Sequence, residues 1–279
     1  MKILVVGLGL IGGSLAKALS QYTDHEIWGM DQDSASVTAA LEEGTISRRA
    51  GKADLHEADL TWVCLHPRAT NAFLAEHADD FRPGAMVADV CGVKTSVVYP
   101  AHEALSARGV RFVGCHPMAG REFSGFAYAQ AELFQGASFI MTPVEGTDAA
   151  AMNLLDGLVR ALGFGKVVRA TPEHHDRVIA FSSQLAHVVS NAFVKSPMLQ
   201  DRSGFSAGSF QDLTRVARMN AGMWTELFLA NAPALGLELD HIIDSLTQYR
   251  DALAAGDEDH LYDLLEEGNR LKIASEKKG

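Results

Sequence analysis

A glycine signature near the start of the chain constrains its fold more than any other feature. Gly7-Leu8-Gly9-Leu10-Ile11-Gly12 follows an apolar run, Lys2 to Val6, and opens a stretch of helical periodicity, Ile11 to Gln21. GxGxxG is weak evidence alone and strong evidence between a strand and a helix, where each glycine has its own duty. Gly7 permits the tight turn, Gly9 lets the backbone approach a pyrophosphate, and Gly12 lets helix and strand pack closely. The pyrophosphate then rests on the positive end of the helix, at Leu10 and Ile11.

The second apolar run, Glu26 to Met30, ends at Asp31. A carboxylate there accepts bonds from ribose hydroxyls and repels a 2′-phosphate, and no arginine lies beside it in sequence before Arg48 and Arg49. The expected cofactor is therefore NAD rather than NADP. Asp33 or Ser34 is free to cap the next helix without disturbing that role. His66 and Pro67, after the third long strand, are read as cofactor-pocket or structural residues.

Beyond the loop, short β-rich runs alternate with helical segments, the pattern of a parallel sheet covered on both faces. Strands are expected at 2–6, 26–30, 61–65, 86–89 and 111–115, with 139–142 and 166–169 extending the sheet. Helices are expected at 11–21, 34–43, 69–79, 95–107 and 149–162. After Ala170 almost everything reads as helix. Thr171-Pro172-Glu173 is a helix start with a capping hydroxyl, a first-turn proline and an acid, and that helix is expected to reach about Lys195.

A polar loop follows, 196–209, then helices at 210–218, 222–231, 235–254 and 258–273, with 275–279 as a loose tail. Leu239, Ile242, Ile243, Leu246, Tyr249 and Leu253 form one apolar stripe. The expected fold class is α/β: a Rossmann-type doubly wound parallel sheet, residues 1–170, followed by an all-α domain, residues 171–279.

Composition sets the outer limits. The 279 residues carry a formal net charge of −11, which argues against a nucleic-acid or anionic-membrane partner and obliges any anionic substrate to find a local cluster of cations. The three cysteines, Cys64, Cys91 and Cys115, have no metal-ligand spacing and suit burial in a reducing cytosol, so no metal is expected. Lys2 and the apolar stretch after it resemble a secretory leader, but four glycines, Gly7, Gly9, Gly12 and Gly13, interrupt it.

In a doubly wound sheet, ligands bind beyond the carboxyl ends of the strands. His116, in Cys115-His116-Pro117-Met118-Ala119-Gly120, stands there and titrates in the range a base needs for an alcohol oxidation. Arg215 and Arg218 fall three apart on a predicted helix and share a face; they are either surface arginines or a clamp for a carboxylate. His187 is either a satisfied core histidine or a cleft residue. Arg121 and Glu122 form either an exposed ion pair or part of the ligand site.

Together, VVGLGLIGGSLA, DVCGVK, GCHPMAG, TPEHHD and FQDLTRVA with Met223-Trp224 resemble the prephenate/arogenate dehydrogenase family over nearly the whole chain. The resemblance implies a Rossmann domain, a helical domain that forms a homodimer, and an active site between them. It implies oxidative decarboxylation of a small anionic cyclohexadienyl substrate by NAD in cytoplasmic tyrosine biosynthesis. His116 becomes the base or hydrogen-bond acceptor, Arg215 the carboxylate clamp, and His187 a further polar contact.

Two positions depart from the family pattern. Gly92 stands where DxxSVK has a serine that holds the substrate hydroxyl and the histidine, so a water, Lys94 or another side chain must replace that bond, or the histidine is less tightly oriented. Ser183-Gln184-Leu185-Ala186-His187 keeps only the second histidine of SHLPH. No chorismate mutase or ACT segment is seen, so a monofunctional enzyme is expected. Prephenate and arogenate are not distinguished, and two rivals stay open: another β-hydroxy-acid-type dehydrogenase, and a non-catalytic NAD-sensing protein.

Overall fold

A computed structural model describes residues 1–121, 123–205 and 207–276. Its strands are β1 (Lys2–Val6), β2 (Glu26–Met30), β3 (Arg48–Arg49), β4 (Leu60–Val63), β5 (Met86–Asp89), β6 (Arg111–Pro117), β7 (Ser138–Thr142) and β8 (Lys166–Arg169). They form one sheet in the order β3-β2-β1-β4-β5-β6-β7-β8. The helices α1 (Leu10–Tyr22), α2 (Ser34–Glu42), α3 (Pro67–His77), α4 (Thr95–Ser106) and α5 (Ala149–Ala161) connect them.

The central strands are apolar on both faces because each face is covered. In β1, Ile3 and Val5 pack with Leu15 and Leu19 of α1 in one core. Leu4 and Val6 point the other way, into a second core with Leu74 and Leu105.

Two features of the sheet escape periodicity. β3 is a two-residue edge strand of arginines, held by parallel pairing of Trp28 with Arg48 and Gly29 with Arg49. The sheet is not wholly parallel either, since β7 runs antiparallel to β6. Among its described residues, the link between them carries only the short turns Phe126–Tyr128 and Ala131–Phe134. A parallel strand would require the chain to return to the opposite end of the sheet, usually through a crossover helix, and among the described residues this link forms none. The link lies along α1 instead: Gln130 N–H donates to Ser14 Oγ at 3.0 Å.

The expected helix from Thr171 forms in three pieces: α6 (Pro172–Ile179), a π-helical turn (Ala180–Leu185) and α7 (Ala186–Phe193). Thr171 caps it, accepting from His174 N–H at 3.2 Å. α8 (Gly208–Thr214) stops short of the expected Arg218, so Arg215 is its C-cap and Arg218 lies outside it; the two arginines do not share a helix face. α9 (Ala221–Ala230), α10 (Ala232–Ala255) and α11 (Glu258–Glu276) complete the chain.

The fold divides into two compact units, Met1–Ala232 and Pro233–Gly279. The second is a helical pair that folds back on itself, with Tyr249 donating its hydroxyl to the Leu264 carbonyl at 3.2 Å. No described helix is long and apolar enough to cross a membrane.

The glycine loop allows a discriminating test. A Cβ at Gly12 would lie 1.8 Å from the Gly7 carbonyl oxygen, whereas one at Gly9 meets nothing within 4 Å. Gly12→Ala is expected to destabilise the fold by on the order of 1–3 kcal/mol, seen as a lower Tm. Gly9→Ala should leave Tm nearly unchanged and weaken dinucleotide binding in a titration.

Candidate active site

The glycine loop forms as its residue types require. Gly7 adopts φ +89°, and a Cβ there would meet the Cys64 carbonyl oxygen at 2.5 Å. No side chain caps α1, so its first amides face outward from the loop. Gly9 leaves open space beside them. Such an uncapped positive helix end with room for an approaching group fits a pyrophosphate. Asp31 holds the loop from the side, its carboxylate accepting from Leu8 N–H at 2.6 Å and from Asp33 N–H at 2.8 Å. Asp33, not Ser34, caps α2. His66 is exposed at the N-cap of α3, and Pro67 is buried at its first helical position.

His116 lies within β6 rather than beyond it, paired with Ile140 across the antiparallel edge. Its Nδ1 sits 2.8 Å from His175 Nε2, and His175 Nδ1 sits 2.8 Å from Asp176 Oδ1. Asp176 also accepts from the Lys94 and Thr95 amides, each at 2.8 Å, at the N-terminus of α4. Burial works against the Asp176 charge, but the bonds from His175, Thr95 and Lys94 outweigh it and hold its carboxyl below the ordinary range. An ionised Asp176 accepts only, so His175 carries its proton on Nδ1 and offers Nε2 as a lone pair. His116 then donates from Nδ1, which leaves its Nε2 as an acceptor.

The charge state agrees with that tautomer. Burial first, then the neighbouring His175 and Lys94 charge, pull the His116 pKa well below its ordinary value, against the opposing pull of Asp176. Burial likewise lowers His175, with its bond to Asp176 opposing. His116 is therefore neutral, as a proton acceptor must be. His175 and Asp176 were not singled out in the sequence; the HHD of TPEHHD was visible only as a helix start.

Lys94 does not reach the open side of this site. It and Asp89 are fully buried, with Lys94 Nζ 2.5 Å from both Asp89 Oδ2 and the Cys115 carbonyl oxygen. Asp89 Oδ1 accepts from Cys115 N–H at 3.1 Å. The pair anchors β6 immediately before His116. Lys94 is thus not the replacement for the serine bond at Gly92, and His116 is oriented from its other nitrogen.

Gly92 faces the acceptor end of His116. A Cβ there would lie 3.7 Å from His116 Nε2 and 3.7 Å from Leu227 Cδ2, ordinary contact distances. Leu227 brings α9 to the site, and Trp224, one turn earlier, stacks on the His187 ring with centroids 3.9 Å apart. His187 Nδ1 lies 2.9 Å from the Ser183 carbonyl oxygen. Buried Gln184 of the π-helical turn donates to the Leu227 carbonyl at 3.3 Å, and Asn231 donates to Gln184 Oε1 at 2.8 Å. Such turns occur often at functional sites because they break helical spacing locally.

The Arg215 segment is tied to α7, where Asn191 donates to the Ala217 carbonyl at 3.1 Å. Arg121 is exposed and donates to Gln130 Oε1 at 3.0 Å. Glu122 lies outside the described residues. The cysteines take no part: burial pushes Cys91 up to about 12 and raises Cys64 and Cys115 further from reactivity.

Residues 15–168 match the family model "Prephenate dehydrogenase, nucleotide-binding domain", and residues 171–267 match "Prephenate dehydrogenase, dimerization domain". A cyclohexadienyl dehydrogenase of Zymomonas mobilis is 32% identical over 98% of this chain and 95% of its own. The solved prephenate dehydrogenase of Aquifex aeolicus, in complex with hydroxyphenyl propionate and NAD+, aligns with TM-score 0.88 and 28% identity over 98% of both chains. An arogenate dehydrogenase structure from Synechocystis aligns with TM-score 0.83 and 29% identity, covering 98% of this chain and 100% of that one.

Two measurements probe the site. His175→Ala should lower turnover by roughly 10- to 100-fold, as loss of an orienting partner does, and change the pH profile; an unchanged profile would contradict the tautomer derived above. Because His116 and His175 are neutral when folded and charge more readily when unfolded, stability should fall as pH drops below the ordinary histidine value of about 6.5. Gly92→Ser should keep both Tm and turnover, whereas Gly92→Leu should lose turnover by filling the space against His116.

Proposed function

The chain belongs to the prephenate dehydrogenase family, and on that basis we propose that it oxidises prephenate with NAD to 4-hydroxyphenylpyruvate and carbon dioxide in tyrosine biosynthesis. The observation that carries the reading is a neutral His116 whose Nε2 is held as an acceptor by His175 and Asp176. His116 Nε2 takes the proton of the ring hydroxyl as that carbon is oxidised. Bound NAD supplies the hydride acceptor, held by Gly7, Gly9, Leu10, Ile11, Gly12 and Asp31, with His66 and Pro67 at the pocket edge.

Arg215 is assigned to a substrate carboxylate, where a guanidinium can make two parallel bonds. His187 supplies a further polar contact, steadied by Trp224. Arg121, exposed and bonded to Gln130, is assigned a second positive charge for the substrate. Gly92 lines the pocket and leaves room beside His116. Lys94 is assigned the support of β6 rather than proton transfer. The ring becomes aromatic when its carboxylate leaves, which makes the step effectively irreversible.

The proposed division is 1–170 for the cofactor and 171–279 for substrate and dimer formation. Exposed Ile243, Leu246 and Leu253, which share one side of α10, support a homodimer, since such a face is costly in water. Three unpaired cysteines support a cytoplasmic setting. Arogenate is the second reading for the substrate, favoured by the arogenate dehydrogenase among the aligned structures; steady-state rates with both compounds separate the two.

His116→Asn tests the chemistry directly. Prephenate-dependent NADH formation should fall by about 10²- to 10⁴-fold while NAD binding persists. Unchanged turnover would refute the role of His116.

A further inference from the structure

The cofactor preference rests on Asp31, yet the folded chain puts an arginine where sequence distance hides it. Residues 31 and 49 stand far apart in the chain, but β3 pairs with β2 in parallel register, Gly29 opposite Arg49. Asp31 is two residues beyond Gly29, so its Cα and that of Arg49 are separated by about 8 Å, given usual strand spacing and rise. An extended arginine side chain covers most of that distance.

The two arginines of β3 face opposite sides of the sheet, as alternation demands. Arg48 is committed: its guanidinium lies 4.0 Å from the Trp28 ring centroid, and it pairs with Asp54. Arg49 takes the face of Gly29, whose added Cβ would point at Ile46 and Leu8. That is also the side of Leu8, whose amide Asp31 accepts. Arg49 is exposed and, among the described residues, joins no ion pair.

The remaining charges nearby are already engaged. Asp33 accepts from the Ala35 and Ser36 amides at the start of α2. Lys52, beyond β3, lies 3.4 Å from Asp80. Asp31, whose carboxylate is held by the Leu8 and Asp33 amides, and Arg49 are thus opposite charges that, among the described residues, join no ion pair at the ribose end of the glycine loop.

We propose that Arg49 is a second determinant of cofactor choice, a latent site for the 2′-phosphate of a phosphorylated dinucleotide that the Asp31 carboxylate suppresses. An anion at the ribose 2′ position would meet repulsion from Asp31 and attraction from Arg49 across the same gap. Guanidinium suits that partner because it binds phosphate oxygens through two parallel donors. The proposal rests on the dinucleotide reading of the loop and extends it to an edge strand that no sequence motif marks.

The test uses the full-length chain and 2′,5′-ADP as the probe, followed by calorimetric titration, with NAD+ titrated alongside. Asp31→Asn keeps an oxygen to accept from Leu8 N–H while removing the charge. It should bind 2′,5′-ADP at least 10-fold more tightly than the parent chain, with a strong salt dependence. Adding Arg49→Ala to Asp31→Asn should abolish that gain and its salt dependence. Equal binding by the single and double variants overturns the proposal, as does a folded Asp31→Asn chain that binds NAD+ but gains nothing for the phosphorylated probe. Failure of the parent chain to bind NAD+ would instead overturn the reading of the loop on which the proposal stands.

Discussion

The carboxylate of Asp176 is the joint on which the site depends. It accepts the first amides of α4 and the Nδ1 proton of His175, while its own main-chain carbonyl accepts from Asn231 at 2.9 Å. One buried residue therefore ties the N-terminus of a sheet-covering helix, the His116–His175 pair and the end of α9 together. A helix N-terminus carries partial positive charge, which offsets part of the cost of burying the carboxylate. Remove that charge and the direction of both histidine hydrogen bonds is no longer fixed.

A second buried charge works on the other side of His116. The Asp89–Lys94 pair is fully enclosed, and such pairs contribute little net stability because desolvation consumes most of the attraction. Their value is in specificity: breaking one alone strands a buried charge, at about 3–5 kcal/mol. The pair fixes the backbone of Cys115 from both its N–H and its carbonyl, so β6 can deliver His116 in a single orientation. Two polar clusters thus hold one imidazole, one through its backbone and one through its ring. That arrangement explains how a chain with glycine at position 92 can still orient its histidine.

Much of this was legible from residue order. The glycine loop, Asp31, the strand run and the switch to helix after Ala170 all have local causes, since each depends on neighbours within a few residues. His116 was singled out because the end of a buried strand is where such folds place reactive groups, although β6 runs on through it to Pro117. His175 and Asp176 were not, because a polar pair near a helix start reads equally well as capping and solvated surface. Lys94 was misread for a related reason: a lysine in a motif gives no sign that its ammonium folds back onto an aspartate five residues earlier. Arg215 and Arg218 were placed on one face by periodicity, but α8 ends at Thr214, where local propensity and tertiary packing part ways.

The sequence by itself determined the sheet-and-helix alternation and the glycine loop, and it marked His116 as the candidate base, since these follow from short-range patterns of glycine, apolar residues and charge. Only the tertiary structure decided which nitrogen of His116 is the acceptor, what Lys94 holds, that β7 turns back against β6, and that Arg49 pairs with Gly29 on the strand leading to Asp31. Each of those depends on groups far apart in the chain, and long-range pairing is set by how the whole sheet and its covering helices close their hydrogen bonds and cores at once.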